Sequence, residues 1–424
     1  MKIRVYQSDK GDCLRIVGSA GGAILVDGGM RDAFATHVRP DLAKMARRGE
    51  AIDLVYVSHI DQDHISGVLE LLDDTLAWRV FDFRKGNGVA VKAPAFPRVP
   101  AIGAIWHNAF STVLGENAGA VENLLAQSSK LLSLSADPSW LALAGAHHEL
   151  AFSVNEAIQL SRRIAADQLG IPLNAPFGGK LAMVRTPPGP EARIAGMNIE
   201  VIGPFAEDLE NLKDEWNDWL RANAAALARL RAAAAADARS IGNTQGGSAA
   251  FLETALKRLG DRGKVTAPNL ASLMLLVEEA GKRVLLPGDG HADDILAGLD
   301  AQGRLDGNGR LHAAVLKVQH HGSENNITRD FCQRFSADHY IFCGNGKHEN
   351  PDLDAIDLLL STNRAERPGA RFKLWFNCAS TQAPEGAARR HMKAVENRVA
   401  RHVRGSGGKI SARFLTASFF DVAV

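Results

Sequence analysis

The feature that most constrains this chain is the run His59-Ile60-Asp61-Gln62-Asp63-His64. It places four metal-capable side chains within six positions, directly after the apolar segment LVYVS and directly before ISGVLELLDD. Residues at i and i+2 of a strand point to the same side, so His59 and Asp61 can meet one ion as the strand ends. The turn into the following amphipathic helix presents Asp63 and His64 to a second ion. Neutral imidazole nitrogens and hard carboxylate oxygens suit Zn²⁺ or Mn²⁺. An ordinary helix N-cap accounts for Asp63 alone and leaves its neighbours unexplained.

Two downstream segments extend the pattern. In KRVLLPGDG, Asp289 follows an apolar strand, where a single carboxylate can bridge two cations about 3.5 to 4 Å apart. In AAVLKVQHHGS, His320 and His321 end a third strand. Adjacent histidines pack poorly as core residues, so one of them is expected to ligate, and the sequence leaves open which.

The first eighty residues alternate short apolar runs with turn signals, KIRVY, DCLRIVG, GAILVDGG and DLVYVSH, and read as strands. Residues 85–264 change character. The Ala-rich stretch EDLENLKDEWNDWLRANAAALARLRAAAAADARS favours long helices and suggests a mainly helical insertion. Strand and helix then alternate from NLASLMLLVEE onwards, ending in a basic helix over 384–404. The expected division is a core half over 1–84, the insertion over 85–264 and a second core half over 265–424, giving an α/β protein of packed layers.

With 46% hydrophobic and 23% charged residues in 424, the chain has the composition of a globular protein, and its net charge of +1 names no partner. The richest local basic patch is Arg389, Arg390, Lys393, Arg398, Arg401, Arg404, Lys409 and Arg413, which suits either a phosphate-contacting face or a solvated helix surface. No stretch approaches the roughly 20 apolar residues that cross a bilayer, and the opening MKIRVYQ lacks a signal-peptide pattern, so a cytoplasmic location without membrane contact is expected. Cys13, Cys332, Cys343 and Cys378 are scattered without CxxC spacing and read as buried thiols.

Taken together, His59 to His64 resembles the HxHxDH motif of the metallo-β-lactamase superfamily in an HxDxDH variant, and GAILVDGG resembles its first motif, with Asp27 as the structural aspartate. PGDG resembles the bridging-aspartate motif. The order NLASLMLLVEEAGKRVLLPGDG, VLKVQHHGS, GNGKHENPDLDAI is similar to the metallo-β-lactamase domain of competence-type DNA-uptake channel proteins and its soluble relatives. The resemblance covers roughly 1–75 and 265–380. It implies an αββα sandwich with a large helical insertion, and two divalent ions held by His59, Asp61, Asp63, His64, Asp289 and His320 or His321. The second histidine of the usual motif is Asp61 here. The family's third-motif histidine has no clear equivalent; Asn269 and Ser272 resemble the residues near that place in competence-type relatives, and His107, His147 and His148 are alternatives. His348, in GKHENPD, matches a histidine expected to act on the leaving group or behind the ligands, and a loop histidine before the helix near Pro351 fits it equally.

Such a centre implies a hydrolase using a metal-bound hydroxide, with Asp63, Asp289 and His348 as the catalytic candidates. The resemblance favours phosphodiester bonds, those of nucleic acid among them. A hydrolase of small esters, lactones or phosphorylcholine-like groups would use the same metals. A partner-dependent module binding another protein through the insertion, as in a multi-protein defence system, is the third reading.

Overall fold

The computed structural model describes residues 1–108, 155–210 and 272–424. Its N-terminal part builds β1 (Lys2–Tyr6), β2 (Leu14–Val17), β3 (Ala23–Val26), α1 (Arg31–Ala33), a π-helical turn (Phe34–Val38), α2 (Arg39–Arg47), β4 (Ile52–Tyr56), α3 (Gln62–Gly86) and β5 (Ile102–Trp106). The hairpin β6 (Ala192–Ile194) and β7 (Met197–Gly203) follows. Next come β8 (Met274–Glu279), β9 (Lys282–Leu286), α4 (Ala292–Ala301), β10 (Leu311–Lys317), α5 (Arg329–Arg334) and β11 (Phe335–Phe342). The chain continues with α6 (Leu353–Glu366), β12 (Phe372–Phe376), α7 (Ala387–Arg404), β13 (Ile410–Phe414) and β14 (Phe419–Ala423).

The strands form two sheets. One has the order β14-β1-β2-β3-β4-β5 and the other β13-β12-β11-β10-β9-β8-β7-β6. Because side chains alternate along a strand, each sheet feeds two apolar layers. Ile24 and Val284 face the layer between the sheets, with Val5, Ile16, Val277 and Val315. Their neighbours Leu25 and Leu285 face outward. Leu25 packs with Phe34, Leu42, Ile65 and Val68 of the helices beside the first sheet. Leu285 packs with Ile295, Leu299 and Leu316 beside the second. The layering is therefore helix, sheet, sheet, helix, as the αββα expectation has it.

Most of the segment expected as a mainly helical insertion, residues 109–154 and 211–264, lies outside the described residues. Its described part supplies core strands: β5 pairs in parallel with β4, and β7 pairs antiparallel with β8. Each gains by pairing with a strand outside the segment, a tertiary effect that local propensity does not register. The Ala-rich stretch lies almost wholly outside the described residues. The basic helix falls where expected, as α7, and the four cysteines are buried and free. Among the described residues, no helix is long and apolar enough to cross a membrane.

Strand direction positions the site. β3, β4 and β5 are mutually parallel, as are β9 to β13. The segments leaving β4, β9 and β10 carry His59–His64, Asp289 and His320–His321 respectively, at the carboxyl ends of strands, where α/β folds place their ligand sites.

Candidate metal centre

The first piece of the centre is held by backbone packing. Gly28, after β3, and Gly67, in the second turn of α3, touch main chain to main chain: a Cβ on Gly67 would lie 2.1 Å from the Gly28 carbonyl oxygen. Gly28 N–H donates to the His64 carbonyl at 2.8 Å and Gly67 N–H to the Gly29 carbonyl at 2.9 Å. This contact docks the end of β3 on the start of α3 and sets Asp27, itself in a left-handed conformation with φ 52°, beside His64. Asp27 Oδ2 lies 2.9 Å from His64 Nδ1, while Asp27 Oδ1 accepts from Ser58 N–H at 2.7 Å. His64 Nε2 is thereby turned towards Asp289 Oδ1 at 3.5 Å.

His321 meets the same point from the other sheet. Its Nε2 lies 3.3 Å from His64 Nε2, 3.3 Å from Asp63 Oδ2 and 3.6 Å from Asp289 Oδ2. His59 Nε2 stands 3.6 Å from Asp289 Oδ2 and 3.5 Å from Asp61 Oδ2, and His320 Nε2 stands 3.7 Å from Asp289 Oδ2. Four imidazoles thus face Asp289: His59, His320 and His321 at Oδ2 and His64 at Oδ1, with Asp61 beside His59 and Asp63 beside His321. Both histidines of the pair face Asp289, because His320 and His321 adopt left-handed backbone with φ 45° and 55°, a geometry sparsely populated by non-glycine residues and concentrated at functional sites. His320 Nδ1 is 2.6 Å from Asn326 Oδ1, which orients its ring.

The donor set fits a cation. His59 Nε2 and Asp289 Oδ1 are buried with no hydrogen-bond partner, an arrangement costly in a protein interior unless another group satisfies them. Asp12, His64, Asp289 and His321 each offer a ligand atom within 4.8 Å of the others, all four buried. The field favours positive charge. Burial opposes protonation of His64 and His321, yet Asp289 and Asp12, with Asp27 at His64, outweigh it; they hold His64 well above the usual histidine range and push His321 up to about 9. Burial likewise raises Asp289, and the surrounding imidazoles overcome it to hold the carboxyl well below its ordinary value.

Other expected residues sit around this cluster. Ser272 is buried beside Gly288, its Oγ without a partner. His107 is buried at the end of β5, where burial, reinforced by His59, lowers it to about 4. Asn269, His147 and His148 lie outside the described residues. His348 is not in the cluster: it is exposed, with φ 55°, on the wall of a neighbouring cleft.

That cleft, of about 630 Å³, is lined by Lys10, Gln62, Lys347, His348, Glu349, Glu385 and His391 among others. Gln62 and Lys10 connect it to the centre, for Gln62 adjoins Asp61 and Asp63 in sequence and Lys10 helps to lower Asp63.

Two buried residues of the centre lie in segments quoted above, DCLRIVG and VLKVQHHGS, yet the motifs give them no role. Asp12, in the loop between β1 and β2, lies 3.1 Å from His321 Nδ1, and Lys317, the last residue of β10, is ion-paired with Asp12. The signal for Lys317 is a lysine closing the otherwise apolar strand AAVLK; for Asp12 it is only the Gly-Asp turn.

Among curated proteins, none matches the chain in sequence. The stretch that holds Asp12, Asp27 and the whole run from His59 to His64 nevertheless has a family likeness: residues 9–75 match the model of the metallo-beta-lactamase superfamily.

Proposed function

We propose that the chain is a metal-dependent hydrolase with two divalent ions, Zn²⁺ or Mn²⁺, and that its substrates are phosphodiesters. The observation that carries the reading is Asp289, a buried carboxylate with the imidazoles of His59, His64, His320 and His321 all within 3.7 Å of its oxygens. His59, Asp61 and His320 would hold one ion, Asp63, His64 and His321 the other, and Asp289 both. Bound there, the ions would supply an acidified water and polarise the oxygen of the scissile bond.

The chain's own residues do the rest. Asp27 and Asn326 fix the rings of His64 and His320, so the donors need no reorganisation. His59, His64, Asp289 and His321 are buried, while Asp61, Asp63 and His320 are partly exposed on the side open to substrate and water. The cleft beside Asp63 would receive the part of the substrate that flanks the scissile bond, where Lys10 and Lys347, the latter ion-paired with Asp9, lend positive charge towards a phosphoryl group. His348, on the cleft wall, would pass a proton to a leaving oxygen.

One observation favours the small-molecule alternative within the same chemistry. The cleft sets Glu349 and Glu385 against Lys10 and Lys347, and its volume suits a compact ligand better than a polymer. On α7, Arg398 pairs with Asp357, Lys393 with Glu396 and Arg389 with Glu385, so three cations of the basic patch are already engaged.

The deciding experiment follows hydrolysis of a bis-aryl phosphodiester, a lactone and single-stranded DNA by the protein loaded with Zn²⁺ or Mn²⁺, before and after chelation, beside Asp63→Ala. Phosphodiester turnover lost on chelation and in the variant supports the proposal. Turnover that survives both removes the metal mechanism, and cleavage of the lactone alone shifts the substrate class.

A further inference from the structure

We infer that Asp12 and Lys317 are a positioning pair: Asp12 fixes the ring of His321 from behind, and Lys317 holds Asp12 there, so that Asp12 orients a ligand and does not ligate. The inference rests on the metal-dependent reading above and adds two residues to which the sequence reading assigns no role.

Asp12 is close enough to His64, Asp289 and His321 to pass for a fourth ligand. Its contacts place it otherwise. Asp12 Oδ1 lies 3.1 Å from His321 Nδ1, and Oδ2 meets Lys317 Nζ and stands 3.8 Å from His64 Nδ1. Both imidazoles therefore present Nδ1 to Asp12, while their Nε2 atoms face each other at 3.3 Å on the side of Asp289. A carboxylate on the Nδ1 side receives that N–H, which fixes the tautomer and leaves Nε2 as the donor to a metal. Asp27 stands in the same relation to His64, at 2.9 Å from Nδ1. Asp12 and Asp27 are thus equivalent partners of two histidines that come from different sheets.

Lys317 explains why Asp12 stays in that place. Its side chain is 2% exposed, and its Nζ also lies 3.3 Å from the Gly288 carbonyl oxygen and 3.8 Å from Asp289 Oδ1. The ammonium joins the β1–β2 loop to the loop after β9. A buried lysine without Asp12, or a buried Asp12 without the lysine, would leave an uncompensated charge in a low-dielectric interior. With Lys317 removed, Asp12 has a free oxygen and no counter-charge, and is drawn towards any cation between the Nε2 atoms.

The test titrates the metal-free full chain with Co²⁺ alone and reads its visible absorption. Wild type, Asp12→Asn, Lys317→Met and Lys317→Arg are compared, each checked for cooperative thermal unfolding. Wild type binding no Co²⁺ would remove the metal reading itself, independently of the pair. With wild type binding, Asp12→Asn is expected to weaken affinity by about ten- to a hundredfold with the band positions kept, because the coordinating atoms are the same. Lys317→Met is expected to weaken binding and alter the bands as Asp12 turns inward, and Lys317→Arg to restore the wild-type spectrum. Unchanged affinity in Asp12→Asn overturns the inference, and so does a shifted spectrum in that variant, which would make Asp12 a ligand. Should Asp12→Asn fail to fold, ¹⁵N-histidine spectra of the wild type with Zn²⁺ decide, the His321 signals being assigned by their loss in His321→Gln. Protonated Nδ1 with metal-shifted Nε2 supports the pair, and the opposite tautomer overturns it.

Discussion

Asp27 Oδ2 stands 2.9 Å from His64 Nδ1, and the two residues are brought together by a glycine-to-glycine contact one position beyond Asp27 and three beyond His64. Asp27 therefore acts on a metal only through the histidine it orients. Asp27→Asn is expected to lower Zn²⁺ affinity by about ten- to a hundredfold while the protein still folds, measured by competition against a chromogenic chelator. Affinity equal to wild type would show that Ser58, whose Oγ is 3.1 Å from the same nitrogen, suffices to hold the ring.

The Gly28–Gly67 contact makes its own prediction. An exposed glycine inside a helix is normally improved by alanine, by about 1 kcal/mol. At Gly67 the added methyl would meet the Gly28 main chain, so Gly67→Ala is expected to destabilise by about 1 to 3 kcal/mol, as overpacking does. Denaturant titration checks the sign. A more stable variant would mean that the β3 loop and α3 separate readily.

Asp289→Asn keeps the size of the side chain and removes the charge shared by the two proposed donor groups. Metal content after dialysis is expected to fall, and hydrolysis to drop to the chelated background. Full metal content in this variant would show that each group holds its ion without the shared carboxylate.

Glu191 gives a pH dependence away from the centre. Burial, first, pushes its carboxyl up to about 7. A carboxyl raised in the folded state binds its proton more tightly there than in the unfolded chain, so its contribution to stability is present at low pH and is lost as pH rises from the ordinary glutamate value through about 7. Glu191→Gln still offers an oxygen to the Val201 N–H, which now donates to Glu191 Oε2 at 2.8 Å. The variant is expected to match wild type at pH 4 and to melt higher at pH 8. Parallel melting curves across that range would refute the assignment.

How much of this was legible in the sequence depended on whether chemistry is contiguous. His59 to His64 is six consecutive residues at a strand end, and Asp289 and His320–His321 each follow an apolar strand, so pattern and position coincide. Asp12 and Lys317 acquire meaning only from each other, 305 positions apart, and nothing beside either one points to the other. The core strands within 85–264 were hidden for a different reason. β5, IGAIW, contains Gly103, whose missing side chain lets it approach the Asp53 carbonyl oxygen, where a Cβ would stand 2.7 Å away. Small residues weaken a strand's own signal, and only the pairing with β4 makes it one. The histidine pair was ambiguous because nothing local announces that two successive left-handed residues will turn both rings to one carboxylate.

β14 completes the first sheet from its edge, pairing with β1 from Lys2 opposite Ala423 to Tyr6 opposite Phe419. β1 must therefore wait for β14, which follows every candidate metal donor in the sequence, before its outer row of backbone donors and acceptors is satisfied. During synthesis the layer that carries His59 stays open on that flank until β14 emerges. A chain stopped before β14 would keep every candidate metal donor and yet expose a raw strand edge, primed to pair with its own kind.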